Sequence, residues 1–348
     1  MKIGIIPENT LERVALAAGA VPRPLFDTHL AMMLARTIMA ATKLGVFEAL
    51  ASGPLTAHKV AAQCGTDPHA TEKLLIALAG VGYVRADQAQ YALAPVARKW
   101  LLKDSPQSLR DKMLIQFTEW GWIEGYEEFV GSGTPLDIHG VLSDDEWGLY
   151  QRSMRALASG SAREVARRTP VPNGARDMLD IGGSHGYYSV AICSRHPGLL
   201  AVVLDLPEAV KHAEPILARE EMGDRVMHRA GNALTDDLGT EAWDLVFIAN
   251  LVHHFDEKTN RDLVRRIARA LRPGGILVIQ EFIRLQSPGK GGQSGALLEL
   301  YFALTSQSGA WSLEEIAGWQ KEAGLTPRKP IRLLSLPGTA QQAAGKGV

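Results

Sequence analysis

The sequence of 348 residues predicts an α/β fold: a doubly wound domain on a parallel sheet, preceded by a smaller, mainly α domain with a winged helix. Three observations carry this. From Asp177 onward, short apolar runs alternate with helical patterns, as strand-helix-strand units require. The run Trp243-Asp-Leu-Val-Phe-Ile-Ala249 is continuously apolar apart from one residue, which suits a central strand covered on both faces. In the first hundred residues the order is helix, helix, hairpin.

Taken in order, residues 1–20 carry little beyond a short helix from Leu11. Over residues 26–50, Leu30, Met33, Leu34, Thr37, Ile38, Ala41, Leu44 and Phe47 recur at helical spacing, while Met32, Met39 and Ala40 widen the apolar surface. Such a helix needs cover on more than one side, either as a central core helix or against a second subunit. Thr56 caps a helix that Gly65 ends, and Asp67-Pro68 opens another. Strands over 83–85 and 90–93 flank the polar tip Ala86-Asp-Gln-Ala. A winged helix that reads DNA has a basic second helix and wing. Here Lys73 lies beside Glu72 and Arg85 beside Asp87, so dimerisation is the better expectation. This domain is set at 1–104.

Residues 105–170 form a helical connector rich in aromatics: Phe117, Trp120, Trp122, Tyr126, Phe129, Trp147 and Tyr150, with Met154 and Leu157 continuing one face. They suit ordinary packing, and equally the lining of a pocket for a flat apolar molecule. The third region, 171–348, holds the sheet. Its expected strands are 178–181, 202–205, 225–229, 243–249, 276–282 and a closing strand at 331–336. Asp256 caps one intervening helix, which Arg272-Pro-Gly-Gly275 stops, and Ser312 opens another with a capping box.

Composition narrows the function. Hydrophobic residues make up 46% and charged residues 22%, with 37 basic against 38 acidic side chains. A net charge of −1 gives no electrostatic case for nucleic acid as a partner. Cys64 and Cys193 read as small core residues of a reducing compartment. No leader pattern and no run of membrane-spanning length is apparent, so a cytoplasmic protein without a membrane partner is expected.

The chemistry gathers at Asp180-Ile-Gly-Gly-Ser-His-Gly186, a strand, a tight turn and a helix start. Glycine belongs where a backbone bends sharply against a ligand. Nineteen residues beyond Gly186, Asp205 ends the next strand, where its carboxylate could accept both hydroxyls of a ribose. Asp180 would repel a pyrophosphate at the helix N-terminus. It suits a cation instead, and S-adenosylmethionine (SAM) carries an ammonium and a sulfonium.

With Val203-Leu-Asp205, Gly231-Asn232, Asn250-Leu-Val-His253 and Leu271-Arg-Pro-Gly-Gly275 following in order, residues 25–335 resemble the class I SAM-dependent methyltransferases. The winged-helix front narrows this to the small-molecule O-methyltransferases of caffeate, hydroxyindole and antibiotic-tailoring type. The resemblance implies a Rossmann-like seven-stranded sheet with one antiparallel strand and a homodimer through the N-terminal domain. It also implies a pocket between the domains for a small aromatic substrate, phenolic or polyketide-like. Asp180, Gly182, Gly183 and Ser184 then face the methionine part of SAM and Asp205 the ribose. Asn232 reads the adenine, and Leu206, Ala233 and Asn250 complete the cofactor site. His253 is the general base and Glu281 orients it. Trp120, Tyr150, Met154, His254 and Leu298 are the candidate substrate contacts. Four positions depart from the family pattern: Ser184 for glycine, Asn232 for aspartate, His254 for aspartate and Ala310 for a second orienting glutamate.

A deprotonated phenol is the nucleophile such transfer needs, and a neutral imidazole at the carboxyl end of a central strand can supply it. The expected reaction is therefore methyl transfer from SAM to the hydroxyl of an aromatic metabolite. C-methylation, in a metal-assisted version using His253, His254, Glu281 or His139, is an alternative, although adjacent histidines make a poor chelate and no metal is expected. A non-catalytic winged-helix sensor is a further alternative, kept open by Ser184, Asn232 and Ala310. Asp180 argues against a nicotinamide dehydrogenase.

Overall fold

A computed structural model describes residues 3–284, 292–307 and 309–348. The chain forms two compact units, Met1–Phe117 and Thr118–Val348.

In the first unit the Ala31–Lys43 helix buries only Met39, Ala41 and Thr42. Leu30, Met32, Met33 and Leu34 stay 41–50% exposed, so half of the wide apolar surface lies uncovered within this unit. The core gathers instead on Phe47, Leu50, Val60, Leu75 and Leu78. Thr56 Oγ1 accepts from the Lys59 N–H to start the Ala57–Cys64 helix, and Gly65 ends it in the left-handed conformation. Asp67 caps Pro68–Gly80 through the Ala70 N–H. Leu55–Thr56, Gln90–Leu93 and Val84–Asp87 make a three-stranded antiparallel sheet. Its hairpin strand runs to Asp87, beyond the expected 83–85, because only Gln88 and Ala89 form the turn, both at positive φ (43° and 63°).

The second unit is a doubly wound sheet. Five parallel strands stand in the spatial order Leu271–Phe282, Trp243–Ala249, Asp177–Ile181, Leu200–Asp205 and Val226–Ala230. Alternate residues feed two cores: Leu179, Ile181, Val246 and Ile248 face one side, and Met178, Val203, Leu245 and Phe247 the other. The central strands are therefore covered on both faces. Two expectations need correction. The antiparallel strand is Thr339–Gly345, which pairs with Leu271–Phe282 along seven residues, from Thr339↔Phe282 to Gly345↔Ile276. The expected closing segment contributes only Ile331–Arg332. The sheet also has eight strands, since the position beyond Thr339–Gly345 is shared by Ile331–Arg332 and Thr326–Pro327. Pro327 and Pro330 lack N–H donors, which confines these pieces to an edge.

Thr339–Gly345 escapes an apolar search because its buried side chains are alanines and glutamines. Gln341 Nε2 donates to Thr169 Oγ1 at 2.9 Å and Gln280 Oε1 at 3.1 Å, and Gln342 Nε2 to the Arg328 carbonyl at 2.9 Å. These bonds pair the amide N–H₂ groups of both glutamines, while Gln341 Oε1 is buried with no partner. Both cysteines are free thiols. Among the described residues no helix is long and apolar enough to cross a membrane.

Candidate active site

The glycine turn is shaped by close contacts. A Cβ on Gly182, which sits at φ +66°, would lie 2.7 Å from Leu251 Cδ2. One on Gly183 would lie 2.5 Å from Asp180 Cγ and 2.7 Å from Val203 Cγ1. Asp180 is 1% exposed beneath this turn. Ser189 Oγ donates to its Oδ2 at 2.6 Å, whereas Oδ1 is buried with no partner. Burial, with a further push from Asp205, raises the Asp180 carboxyl to about 7. A buried carboxylate with one orphaned oxygen fits a cation and disfavours a phosphate, which agrees with the ammonium of SAM.

Asp205 stands at the carboxyl end of its strand. Oδ2 accepts from the Ser184 N–H at 2.7 Å and Oδ1 from the Leu206 N–H at 2.8 Å. Burial raises its pKa against these two bonds. Ser184 occupies φ +52°, where a side chain costs about 1 kcal/mol relative to glycine. Its hydroxyl donates to Gln151 Oε1, and its carbonyl accepts from His228 Nε2 at 2.8 Å. Asn232 is exposed beside Ala233, and its Oδ1 already accepts from the Leu234 N–H at 2.9 Å. A second lone pair and the amide N–H₂ stay open for a ring edge. Asn250, at φ +52°, follows Trp243–Ala249 and donates its N–H to the Gln280 carbonyl at 2.9 Å.

His253 lies on the one-turn 3₁₀ helix Val252–His254, just past that strand. Its Nδ1 is 2.9 Å from Glu281 Oε1, and both side chains are buried, 5% and 0% exposed. The Phe282 N–H donates to the same oxygen at 2.9 Å. A carboxylate oxygen only accepts, so Nδ1 is the donor in this bond, and in the neutral ring Nε2 is then the acceptor nitrogen. The turn is clamped from outside. Asn260, fully buried, donates to the carbonyls of Val252 and Phe255 at 2.9 and 3.1 Å, and Trp311 Nε1 donates to Val252 at 3.0 Å. Ala310, where the family pattern has a glutamate, is buried.

Beside His253 the rings form a continuous set. His254 tilts against His253 with centroids 4.2 Å apart and meets His139 edge-on at 4.9 Å. His139 stacks on Trp147 at 5.5 Å and meets Tyr150 edge-on at 5.8 Å. On the other side Phe302 is 4.8 Å from His253 and 5.5 Å from Phe282. Burial pulls His254 well below the usual imidazole value, helped by His253 and His139, and burial also lowers His139. Burial and nearby Glu119 push the Tyr150 hydroxyl up. At neutral pH these side chains carry no charge. Trp120 and Met154 are half-buried, and Leu298, one turn from Phe302 on the Gly292–Thr305 helix, is 39% exposed. Among the described residues no three His, Cys, Asp or Glu side chains are grouped to hold a metal ion.

Gln151, Asn260, His228 and Phe302 were not singled out by sequence reasoning. A polar residue on the apolar face of a helix is the one available signal, and Gln151 between Tyr150 and Met154 shows it.

Residues 124–326 match the O-methyltransferase domain family and residues 26–103 the O-methyltransferase dimerisation domain. The chain belongs to this family of SAM-dependent O-methyltransferases. It is similar to the 3-hydroxy-5-methyl-1-naphthoate 3-O-methyltransferase of Streptomyces sahachiroi, at 26% identity over 93% of this chain and 95% of the relative. Acetylserotonin O-methyltransferase of Bos taurus is 30% identical over 74% of this chain and 79% of the relative. L-tyrosine C(3)-methyltransferase of Streptomyces lavendulae is 26% identical over 86% and 85%. The fold matches the crystal structure of human N-acetylserotonin methyltransferase in complex with SAM with a TM-score of 0.82, at 21% identity over 98% and 99% of the two chains.

Proposed function

We propose that this enzyme methylates a hydroxyl of a small, flat aromatic acceptor, with His253 as general base and Glu281 as the group that orients it. The observation that carries the reading is the buried His253–Glu281 pair at 2.9 Å, set among the rings of His254, His139, Trp147, Tyr150 and Phe302. The acceptor class is supported by the naphthoate and acetylserotonin named in two relatives.

SAM, when bound, supplies a methyl group on a sulfonium that needs no activation of its leaving group. Asp180 would receive the ammonium, with Gly182, Gly183 and Ser184 closing over the methionine part. Asp205 with Leu206 would hold the ribose, and Asn232 and Ala233 the adenine end, with Asn250 completing the cofactor site. The chain's own task is then to align the acceptor, exclude water and remove one proton. Nε2 of His253 takes the hydroxyl proton, and the Glu281 carboxylate steadies the imidazolium that results. Neutral His254 and His139 offer ring faces and single hydrogen bonds without drawing in a counter-ion. Homodimer formation through the N-terminal domain agrees with the exposed Leu30, Met32, Met33 and Leu34.

A panel of naphthols and hydroxyindoles with methyl-labelled SAM tests the reading. His253→Ala should lower turnover by about 10²- to 10⁴-fold and leave affinity for S-adenosylhomocysteine (SAH) nearly unchanged. Full turnover in the variant removes His253 from the mechanism. The L-tyrosine C(3)-methyltransferase relative favours one second reading, transfer to an activated ring carbon. Locating the label on oxygen or carbon decides between them.

A further inference from the structure

Every polar group of Ser184 is engaged. Its N–H donates to Asp205, its carbonyl accepts from His228, and its hydroxyl donates to Gln151. It holds these bonds from φ +52°, a conformation that glycine would take without strain. Gln151 is 1% exposed on the Asp144–Ser159 helix, where an amide without a partner would be costly. The same helix carries Tyr150 in the adjacent position and Met154 three residues on. Other side-chain ties from this helix lie toward its ends, Asp144 with Lys211 and His212, and Arg155 with Glu220 and over the Tyr187 ring. The Ser184–Gln151 bond is thus the buried joint between the cofactor turn and the aromatic helix.

We infer that this joint couples cofactor occupancy to the acceptor side. A ribose on Asp205 fixes the carboxylate, the carboxylate fixes the Ser184 N–H, and the Ser184 hydroxyl fixes Gln151, so that cofactor binding orders the Asp144–Ser159 helix before an acceptor arrives. The inference rests on the reading that Asp205 receives the ribose. The backbone strain of a serine in this turn is offset by the hydrogen bond that makes the link.

Hydrogen exchange on the whole protein, with and without SAH, tests it. In the native protein SAH should slow exchange across residues 147–157 by about tenfold, within the ordinary range of coupling between two sites. With SAH raised to saturate each protein, Ser184→Gly and Gln151→Met should each lose most of that slowing, and the double variant should lose no more than either alone. Ser184→Gly relieves backbone strain but leaves the buried Gln151 oxygen without its donor, opposed effects of similar size, so its melting temperature should change little, which keeps the test valid if Gln151→Met folds poorly. Equal slowing in the native protein and Ser184→Gly overturns the inference, as does no slowing in the native protein when SAH binds. Asp205→Ala separates the underlying reading: SAH affinity that survives this change removes the ribose assignment itself.

Discussion

His253 and Glu281 meet at 2.9 Å although they come from different strands, the histidine from the turn after Trp243–Ala249 and the glutamate from near the end of Leu271–Phe282. Because these strands are parallel neighbours, with Ala249 opposite Gln280, their carboxyl ends bring the pair together without any long loop. Glu281→Gln keeps the shape and removes the charge that would steady an imidazolium. Turnover should fall by about 10²- to 10⁴-fold, as when a carboxylate behind a catalytic histidine becomes an amide. SAH affinity should stay the same. Saturating kinetics and calorimetry check both statements, and an unaffected kcat would reduce Glu281 to packing.

The proposed placement of the cofactor ammonium at Asp180 carries a pH dependence. With its carboxyl at about 7 in the free protein against about 3.9 in an unfolded chain, it binds more protons folded than unfolded between those values. Its contribution to stability is full below the unfolded value and is lost as pH rises through 7. Ligand binding works the other way, since an ammonium pairs with the ionised form. SAH affinity should therefore weaken as pH falls below 7, with proton release on binding at pH 6. Calorimetry in two buffers of different ionisation enthalpy measures that proton, and Asp180→Asn should abolish it.

Gly183→Ala places a methyl group against Asp180 and Val203, both held in the sheet. Overpacking of this kind should destabilise the protein by about 1–3 kcal/mol and weaken SAH binding as the turn is displaced. Denaturation and SAH titration of the same sample report the two effects. A variant with unchanged values would mean that the turn yields freely.

The wing offers a prediction away from chemistry. Gln88 and Ala89 form a two-residue turn with both residues at positive φ, where Asn-Gly is favoured. Gln88→Asn with Ala89→Gly should stabilise the protein by about 0.5–1 kcal/mol. Thermal unfolding at fixed protein concentration checks this, and a lower melting temperature would show that the native side chains make up for the strain.

The parts of this fold that were legible in the sequence are those with local causes. Thr56, Asp67 and Ser312 cap helices through bonds to residues three positions away, so a window of four residues contains the whole argument. Trp243–Ala249 announces itself by continuous apolarity. Thr339–Gly345 does not, because its glutamines become buriable only through Gln280, Thr169 and Arg328, which are distant in the chain. The site divides in the same way. Asp180, the glycines and Asp205 follow from spacing, and His253 with Glu281 from an ordered set of motifs. Asn260 and Gln151 hold the site through side-chain bonds that reach outside their own helices, and no single window of sequence displays such bonds.

Ala340 lies directly opposite Glu281 in the antiparallel pair, and Gln341 opposite Gln280. Main-chain pairing with Thr339–Gly345 thus holds the outer edge of Leu271–Phe282 along residues 276–282. Loosening that strand would free the backbone that carries Glu281 without touching His253.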